Sequence, residues 1–335
     1  MKLLTITVPC YNSQAYMEKC IESLLPGGER VEIIIINDGS KDGTGAIADR
    51  YASQYPNIVR VIHQENGGHG EGINQGLRHA TGRYFKVVDS DDWMNNDFIT
   101  FLDQLEECSK EDVDLFITNY FYVHTDGKRD RSIGYENALP VNKVFTWSET
   151  KSFRLHQMLT IHSCTFRTEA MRKCTQELPQ HVFYEDNLMV YQTLPHVNKM
   201  YYMDINLYQY FIGRPDQSIQ KNVMMQRYTH QLLVTQMCFC ACHLDSIREK
   251  RLLKYLRHEL YMMFAISILY ARLHKSQEAD ATMEQMFASC RQFDKKWADH
   301  FRYRTTLRLI CIPGWFGHWF AAFVYKFANS VIRFN

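Results

Sequence analysis

The sequence predicts an α/β protein: a mostly parallel central sheet flanked by helices, followed by a helical C-terminal region. Three observations carry this. Short β-rich runs alternate with helical patterns of roughly 10–15 residues in the first part of the chain, the signature of βαβ crossovers. One of those runs is almost wholly apolar, as suits a parallel strand buried on both faces. From Val223 onward the strand signal gives way to helical periodicity.

In order, Leu3 to Val8 is a short strand, Gln14 to Leu25 has helical spacing, and Val31 to Ile36 is the apolar strand. A helix through Ala46 to Tyr55 leads to a strand over Ile58 to His63. A helix from Glu71 to Ala80 then precedes the strand Tyr84 to Val88. The result is a half-barrel-like or doubly wound sheet. Beyond Val113 the pattern loosens into β-rich stretches, Leu115 to Val123 and Ser132 to Phe145, with turn signals at Asp126-Gly127 and Ile133-Gly134. A strand-helix passage over Cys164 to Cys174 and a helical run from Tyr184 to Leu194 follow. The helices Arg248 to His274 and Met283 to Trp297 lie in the last part. A boundary near Ser218 to Val223 divides a domain over 1–220 from a helical region over 221–335.

With 335 residues the chain exceeds one typical domain, and 46% hydrophobic with 22% charged residues is ordinary globular usage. That excludes disorder as the main state. Lys and Arg number 38 against 37 Asp and Glu, so no basic excess of the kind that duplex nucleic-acid binders use is present, and no nucleic-acid partner is expected. The apolar N-terminal run is too short and too strand-like for a secretory signal, so the chain is expected to stay in the cytoplasm. The ten cysteines are then expected as free thiols. Cys238, Cys240 and Cys242 cluster without completing a zinc-type spacing.

In parallel α/β sheets ligands bind beyond the carboxyl ends of the strands. Four successive strands end in polar clusters: Asn12-Ser13, Asn37-Asp38-Gly39-Ser40, Gln64-Glu65-Asn66-Gly67-Gly68 and Asp89-Ser90-Asp91-Asp92. Parallel strands would bring all four to one edge. Adjacent carboxylates such as Asp89, Asp91 and Asp92 raise one another's pKa unless a cation relieves them, and oxygen ligands suit Mg²⁺ or Mn²⁺ carrying a diphosphate. A solvated acidic turn capping the next helix is the competing reading. Gly67 and Gly68 allow close backbone approach to a ligand ahead of a helix N-terminus, or simply a flexible turn. No P-loop or dinucleotide fingerprint is present.

The ordered segments Val8-Pro9-Cys10-Tyr11-Asn12, Ile36-Asn37-Asp38-Gly39-Ser40, Asn74-Gln75-Gly76 with Ala80-Thr81-Gly82-Arg83-Tyr84, and Val88-Asp89-Ser90-Asp91-Asp92-Trp93 resemble the signature of family-two inverting glycosyltransferases. The resemblance is close over about residues 1–125 and looser at Glu185-Asp186 and Tyr208 to Ser218. It implies a nucleotide-diphospho-sugar transferase fold, a donor such as a UDP-sugar, and a divalent metal, Mn²⁺ or Mg²⁺. By motif, Pro9, Tyr11 and Asn12 resemble the nucleotide-pocket wall, joined by Gly67, and Asp38 the carboxylate that reads the nucleobase. Asp89 resembles the residue near the ribose and metal, Asp91 the metal ligand, Glu185-Asp186 the acidic pair with Asp186 as general base, and Arg214 a donor-closing loop residue. His162 and His181 are further candidates on the acceptor or metal side, or structural histidines. No Q-x-x-R-W follows the acidic pair, which favours single-sugar transfer over processive synthesis.

The segment Thr305 to Asn335 is aromatic, flanked by Arg302, Arg304, Arg308, Lys326 and Arg333, and interrupted at Pro313-Gly314 and Gly317-His318. It fits a lipid headgroup interface better than a span, or else a helix packed on protein. The expectation is transfer to a glycan or lipid-linked acceptor, peripherally at the cytoplasmic face of the membrane. A sugar nucleotidyltransferase and a membrane-docked, non-catalytic scaffold remain as alternatives.

Overall fold

A computed structural model describes residues 2–124, 130–212 and 221–332. The chain divides into two compact units, Met1–Arg214 and Pro215–Asn335. The first runs β1 (Leu4–Cys10), α1 (Met17–Leu24), β2 (Val31–Asp38), α2 (Thr44–Gln54), β3 (Val59–Gln64), α3 (His69–His79), β4 (Tyr84–Val87), β5 (Trp93–Met94), α4 (Phe98–Ser109) and β6 (Leu115–His124). It continues with β7 (Arg131–Ile133), β8 (Val144–Thr146), β9 (Cys164–Arg167), α5 (Thr168–Met171), α6 (Glu185–Thr193) and β10 (Lys199–Ile212). The second unit comprises α7 (Lys221–Gln226), α8 (Tyr228–Cys240), α9 (Lys250–His274), α10 (Gln277–Phe293), α11 (Lys295–Tyr303) and α12 (Trp315–Ile332).

One sheet runs in the order β3-β2-β1-β4-β9-β6-β10-β5, with β7 on β6 and β8 on β10. The strands β3, β2, β1 and β4 are mutually parallel, so all four polar clusters lie at one edge. β9 enters antiparallel between β4 and β6, and β10 is again parallel to β6. The parallel half is as apolar as its sequence: every residue of β1 is buried, and Ile33 to Ile36 of β2 are fully buried. Burying each such side chain contributes about 1.5–3 kcal/mol. α3 lies close against β1 because Gly76 has no side chain. A Cβ there would sit 2.2 Å from Thr7 Oγ1.

Three local readings change. The first helix begins at Met17 because the residues ahead of it are taken up in loop contacts: the Gln14 side chain accepts from the Gly43 amide at 2.7 Å. Within Ser132 to Phe145 only the two ends are strand. The helix expected over Met283 to Trp297 is two helices, broken at Asp294, whose extended backbone (φ −148°, ψ 94°) lets its carboxylate cap α11 by accepting from Trp297 N at 3.1 Å. All ten cysteines are free thiols, and Cys238 is buried on α8.

Candidate active site

The β1 and β2 turns are knitted together at the sheet edge. Pro9, next to last in β1, lies against α3, where Gly72 leaves room for its ring. Asn12 adopts a positive φ of 51°; its amide donates to Ser40 Oγ at 3.0 Å, and its side-chain oxygen accepts from Lys41 N at 2.8 Å. Tyr11 beside it is exposed. Ser13 Oγ meets Ser90 Oγ at 2.8 Å, joining this turn to the acidic one.

Asp38 is buried at the end of β2. One carboxylate oxygen accepts from Gly67 N and Gln64 Nε2, both at 2.7 Å, and the other from Gly68 N at 2.8 Å. Those bonds fix the Gly67-Gly68 turn that opens α3. Gly68 there has φ 85°, which favours glycine, and a Cβ would meet the His181 amide nitrogen at 2.9 Å. His181 itself is exposed, and its amide donates to Gly67 O.

His69, the first residue of α3, bridges two carboxylates. Nε2 lies 2.9 Å from Asp89 and Nδ1 2.7 Å from Glu185. Burial opposes charge on the imidazole, but Asp89 and Glu185 outweigh it and hold its pKa well above the usual histidine range. Asp89, likewise pushed up by burial, is brought below the ordinary carboxylate value by His69. Glu185 and Asp186 open α6, where the helix dipole favours acids. Burial, then the neighbouring Glu185, raise Asp186 from 3.8 to about 7.

Asp92 is fully buried: Tyr208 O–H donates to it at 2.6 Å and Phe211 N at 2.8 Å, while the same Tyr208 oxygen accepts from Asp89 N at 3.2 Å. Burial and the charges of Asp91 and Asp89 push Asp92 well above the carboxylate range. His162, in the loop before β9, stacks on Tyr210 with ring centres 4.5 Å apart and sits 3.8 Å from Asp89 Oδ2. Burial lowers its pKa to about 4, so the ring is neutral, the form that ligates metal. Lys86 on β4 clamps this loop by donating to His162 O at 2.9 Å and Cys164 O at 3.1 Å, and burial lowers it to about 8.

Ligand atoms of Asp89, Asp92 and His162 lie within 4.8 Å of one another, and His162 Nδ1 is a buried nitrogen with no hydrogen-bond partner. Two carboxylates suit Mn²⁺ or Mg²⁺, and the neutral imidazole beside them favours the transition metal Mn²⁺ over Mg²⁺, which takes oxygen ligands. This set shares Asp89 with the expected pair; Asp91 stands half-buried in the same turn.

Residues 5–173 match the sequence model of Glycosyl transferase family 2. The chain belongs to this family. The family-2 enzyme is 30% identical over 270 residues to EpsH of Bacillus subtilis strain 168, a protein named as a glycosyltransferase, covering 77% of this chain and 72% of that one. It is 40% identical over 129 residues to the glycosyltransferase GlyG of Streptococcus pneumoniae, covering 38% and 42%. Among solved structures it resembles S. aureus TarS 1–349 in complex with UDP-GlcNAc, with TM-score 0.60 and 18% identity over 91% of this chain and 93% of that one. It also resembles the mannosyltransferase PcManGT of Pyrobaculum calidifontis in complex with GDP-Man and Mn²⁺, with TM-score 0.52 and 14% identity over 97% and 87%. Both likenesses are of fold.

The geometry thus brings Asp89, Glu185 and Asp186 of this glycosyltransferase into one cluster through His69, and seats Pro9, Asn12, Asp38 and Gly67 along the same sheet edge. Arg214 and the loop after it lie outside the described residues, as does the turn at Asp126-Gly127. Sequence reasoning did not single out His69, Lys86 or Tyr208 as site residues. A histidine directly after the Gly67-Gly68 pair and a lone lysine inside the apolar Phe85 to Val88 run were the available signals for the first two.

Proposed function

We propose that the protein is a metal-dependent, inverting transferase that moves one sugar from a nucleotide diphosphate, such as a UDP-sugar, to a hydroxyl of a glycan or lipid-linked acceptor. The observation that carries this is the bridge by which His69 joins Asp89 of the acidic turn to Glu185, the neighbour of Asp186, with burial and Glu185 raising Asp186 to about 7. A base must take the acceptor proton as the hydroxyl attacks, and a pKa near the working pH suits that task. Asp186 takes that proton; Glu185, held by His69, keeps the basicity of Asp186 high. The anomeric carbon passes through an oxocarbenium-like state, as in glycoside hydrolysis, and single displacement inverts it.

Pro9, Tyr11, Asn12 and the turn of Gly67 line the nucleotide side, with Asp38 anchoring that turn beside the base, and Arg214 would contact the donor, as the sequence resemblance implies. Asp89 and Asp91 would hold the cation, with Asp92 and His162 within reach. Such a cation, when bound, stabilises charge on the departing diphosphate. Transfer to a lipid-linked acceptor places the enzyme at the cytoplasmic membrane face.

Calorimetry with UDP, with and without Mn²⁺, tests the donor and metal together, alongside a donor-consumption assay. Metal-dependent UDP binding that is lost in Asp91→Ala, with turnover lost as well, is the expected result. UDP binding indifferent to Mn²⁺, or near-parental turnover in Asp91→Ala, refutes the metal assignment.

A further inference from the structure

The helix α12 is held on one side and bare on the other. Gly317 and Ala321 are buried, and His318 Nδ1 lies 2.9 Å from Arg272 O while its Nε2 lies 3.2 Å from Asp280. Arg272 is itself buried, donating to the carbonyl oxygens of Ile310, Cys311 and Ile312 ahead of the helix. The helix is therefore fixed in place. Away from this seat, Trp315, Trp319, Phe323 and Phe327 recur every four residues and are 76%, 49%, 53% and 61% exposed. Successive rings along this row stack, Trp315 on Trp319 at 6.3 Å and Trp319 on Phe323 at 6.0 Å, making a continuous apolar ribbon.

The acidic or basic residues within this stretch of chain have one sign. From His300 to Asn335 the sequence contains five Arg or Lys and no Asp or Glu, and Arg304, Arg308 and Lys326 are exposed. No helix among the described residues is long and apolar enough to cross a membrane. Tryptophan and phenylalanine on one face of a helix with a basic surround suit the headgroup boundary of a bilayer, and basic residues there gain from anionic lipid.

We propose that the aromatic ribbon of α12 docks this protein on the surface of an anionic lipid bilayer, lying in the headgroup plane without spanning it. A second copy of the chain is the poorer occupant. A two-fold contact through the ribbon would set Arg304, Arg308 and Lys326 of each copy near the same basic residues of the other, and like charges across an interface are unfavourable. The proposal rests on the proposed function for its purpose alone, which is to hold the enzyme beside a lipid-linked acceptor.

The test is flotation of the full chain with vesicles of phosphatidylcholine alone and of phosphatidylcholine mixed with phosphatidylglycerol, with tryptophan emission recorded in parallel. Binding to the mixed vesicles with a blue shift, weakened by salt, is expected. Trp315→Ser with Trp319→Ser should lower the partition by about tenfold or more, since much of the apolar ribbon is removed. Arg304→Glu with Arg308→Glu should abolish the preference for phosphatidylglycerol. Circular dichroism and donor consumption at the parental level establish that the variants are folded.

No binding of the parental chain to either vesicle overturns the proposal, as does unchanged binding of the double tryptophan variant. A dimer that the tryptophan substitutions dissolve, without vesicle binding, overturns it in favour of self-association. Vesicle binding without donor turnover would instead sink the proposed function and leave the docking surface standing.

Discussion

Replacing Asp186 by Asn should silence the enzyme and stabilise its fold at the same time. The carboxyl has its pKa raised from 3.8 to about 7, first by burial and second by Glu185. Between those two values the native state holds a proton that the unfolded chain has released, so stability falls as pH rises through that window and the cost is complete above about pH 7. At about 1.4 kcal/mol per pKa unit the displacement corresponds to about 4 kcal/mol. The side chain is only partly buried by area, and solvent screening brings the usable figure to about 1–2 kcal/mol. Asparagine keeps an oxygen for the Asn187 amide, now 3.1 Å from Asp186, and carries no charge. Thermal unfolding at about pH 8 should show Asp186→Asn melting roughly 2–8 °C above the parent, with the gap closing towards about pH 4. Glu185→Gln, by removing the second cause, should narrow the gap. A gap independent of pH, or none at about pH 8, refutes the electrostatic argument. Near-parental turnover in Asp186→Asn refutes its role as base.

Two further outcomes follow from the packing around the site. Tyr208→Phe removes the donor to buried Asp92 and the acceptor for Asp89 N, so it should cost about 1–3 kcal/mol in urea unfolding and weaken Mn²⁺-dependent UDP binding; parental values for both would show that these bonds do not hold the acidic turn. Gly76→Ala places a methyl against Thr7 on β1 and should destabilise by about 1–3 kcal/mol, measured by the same unfolding assay, and a neutral result would mean that α3 can shift without strain.

What the sequence made legible is what local chemistry determines. The four parallel strands and their polar ends could be read because apolar runs of β-branched residues have few other homes, and because parallel neighbours must present their carboxyl ends together. The long strand β10 was not read as one. Its run Lys199 to Ile212 carries Asp204 and Asn206 in the middle, and the pairing with β6 shifts register between Met203 and Tyr208, so period-two alternation breaks there. That strand brings Tyr208 and Tyr210 to the acidic turn, which is why half of the cage around Asp92 and His162 escaped notice. His69 escaped for a related reason: its partners Asp89 and Glu185 lie 20 and 116 residues away in sequence. Tertiary placement alone shows that one imidazole can serve both.

The charge pattern of the site then argues for its own ligand. Asp89, Asp91 and Asp92 share one turn; Asp89 has a cationic partner at hydrogen-bond distance, His69, and its pKa falls, whereas Asp92, buried beside the other two, rises well above the carboxylate range. Tyr208 and the Phe211 amide offset part of that strain by donating to Asp92, but hydrogen bonds from neutral groups do not supply a full positive charge. His162 Nε2 lies 3.8 Å from Asp89 Oδ2; burial keeps this imidazole neutral, and its Nδ1 is without a partner. Asp89 and Asp92 beside a neutral imidazole make a ligand set that a divalent cation would fit in charge, next to the His69 bridge between Asp89 and Glu185.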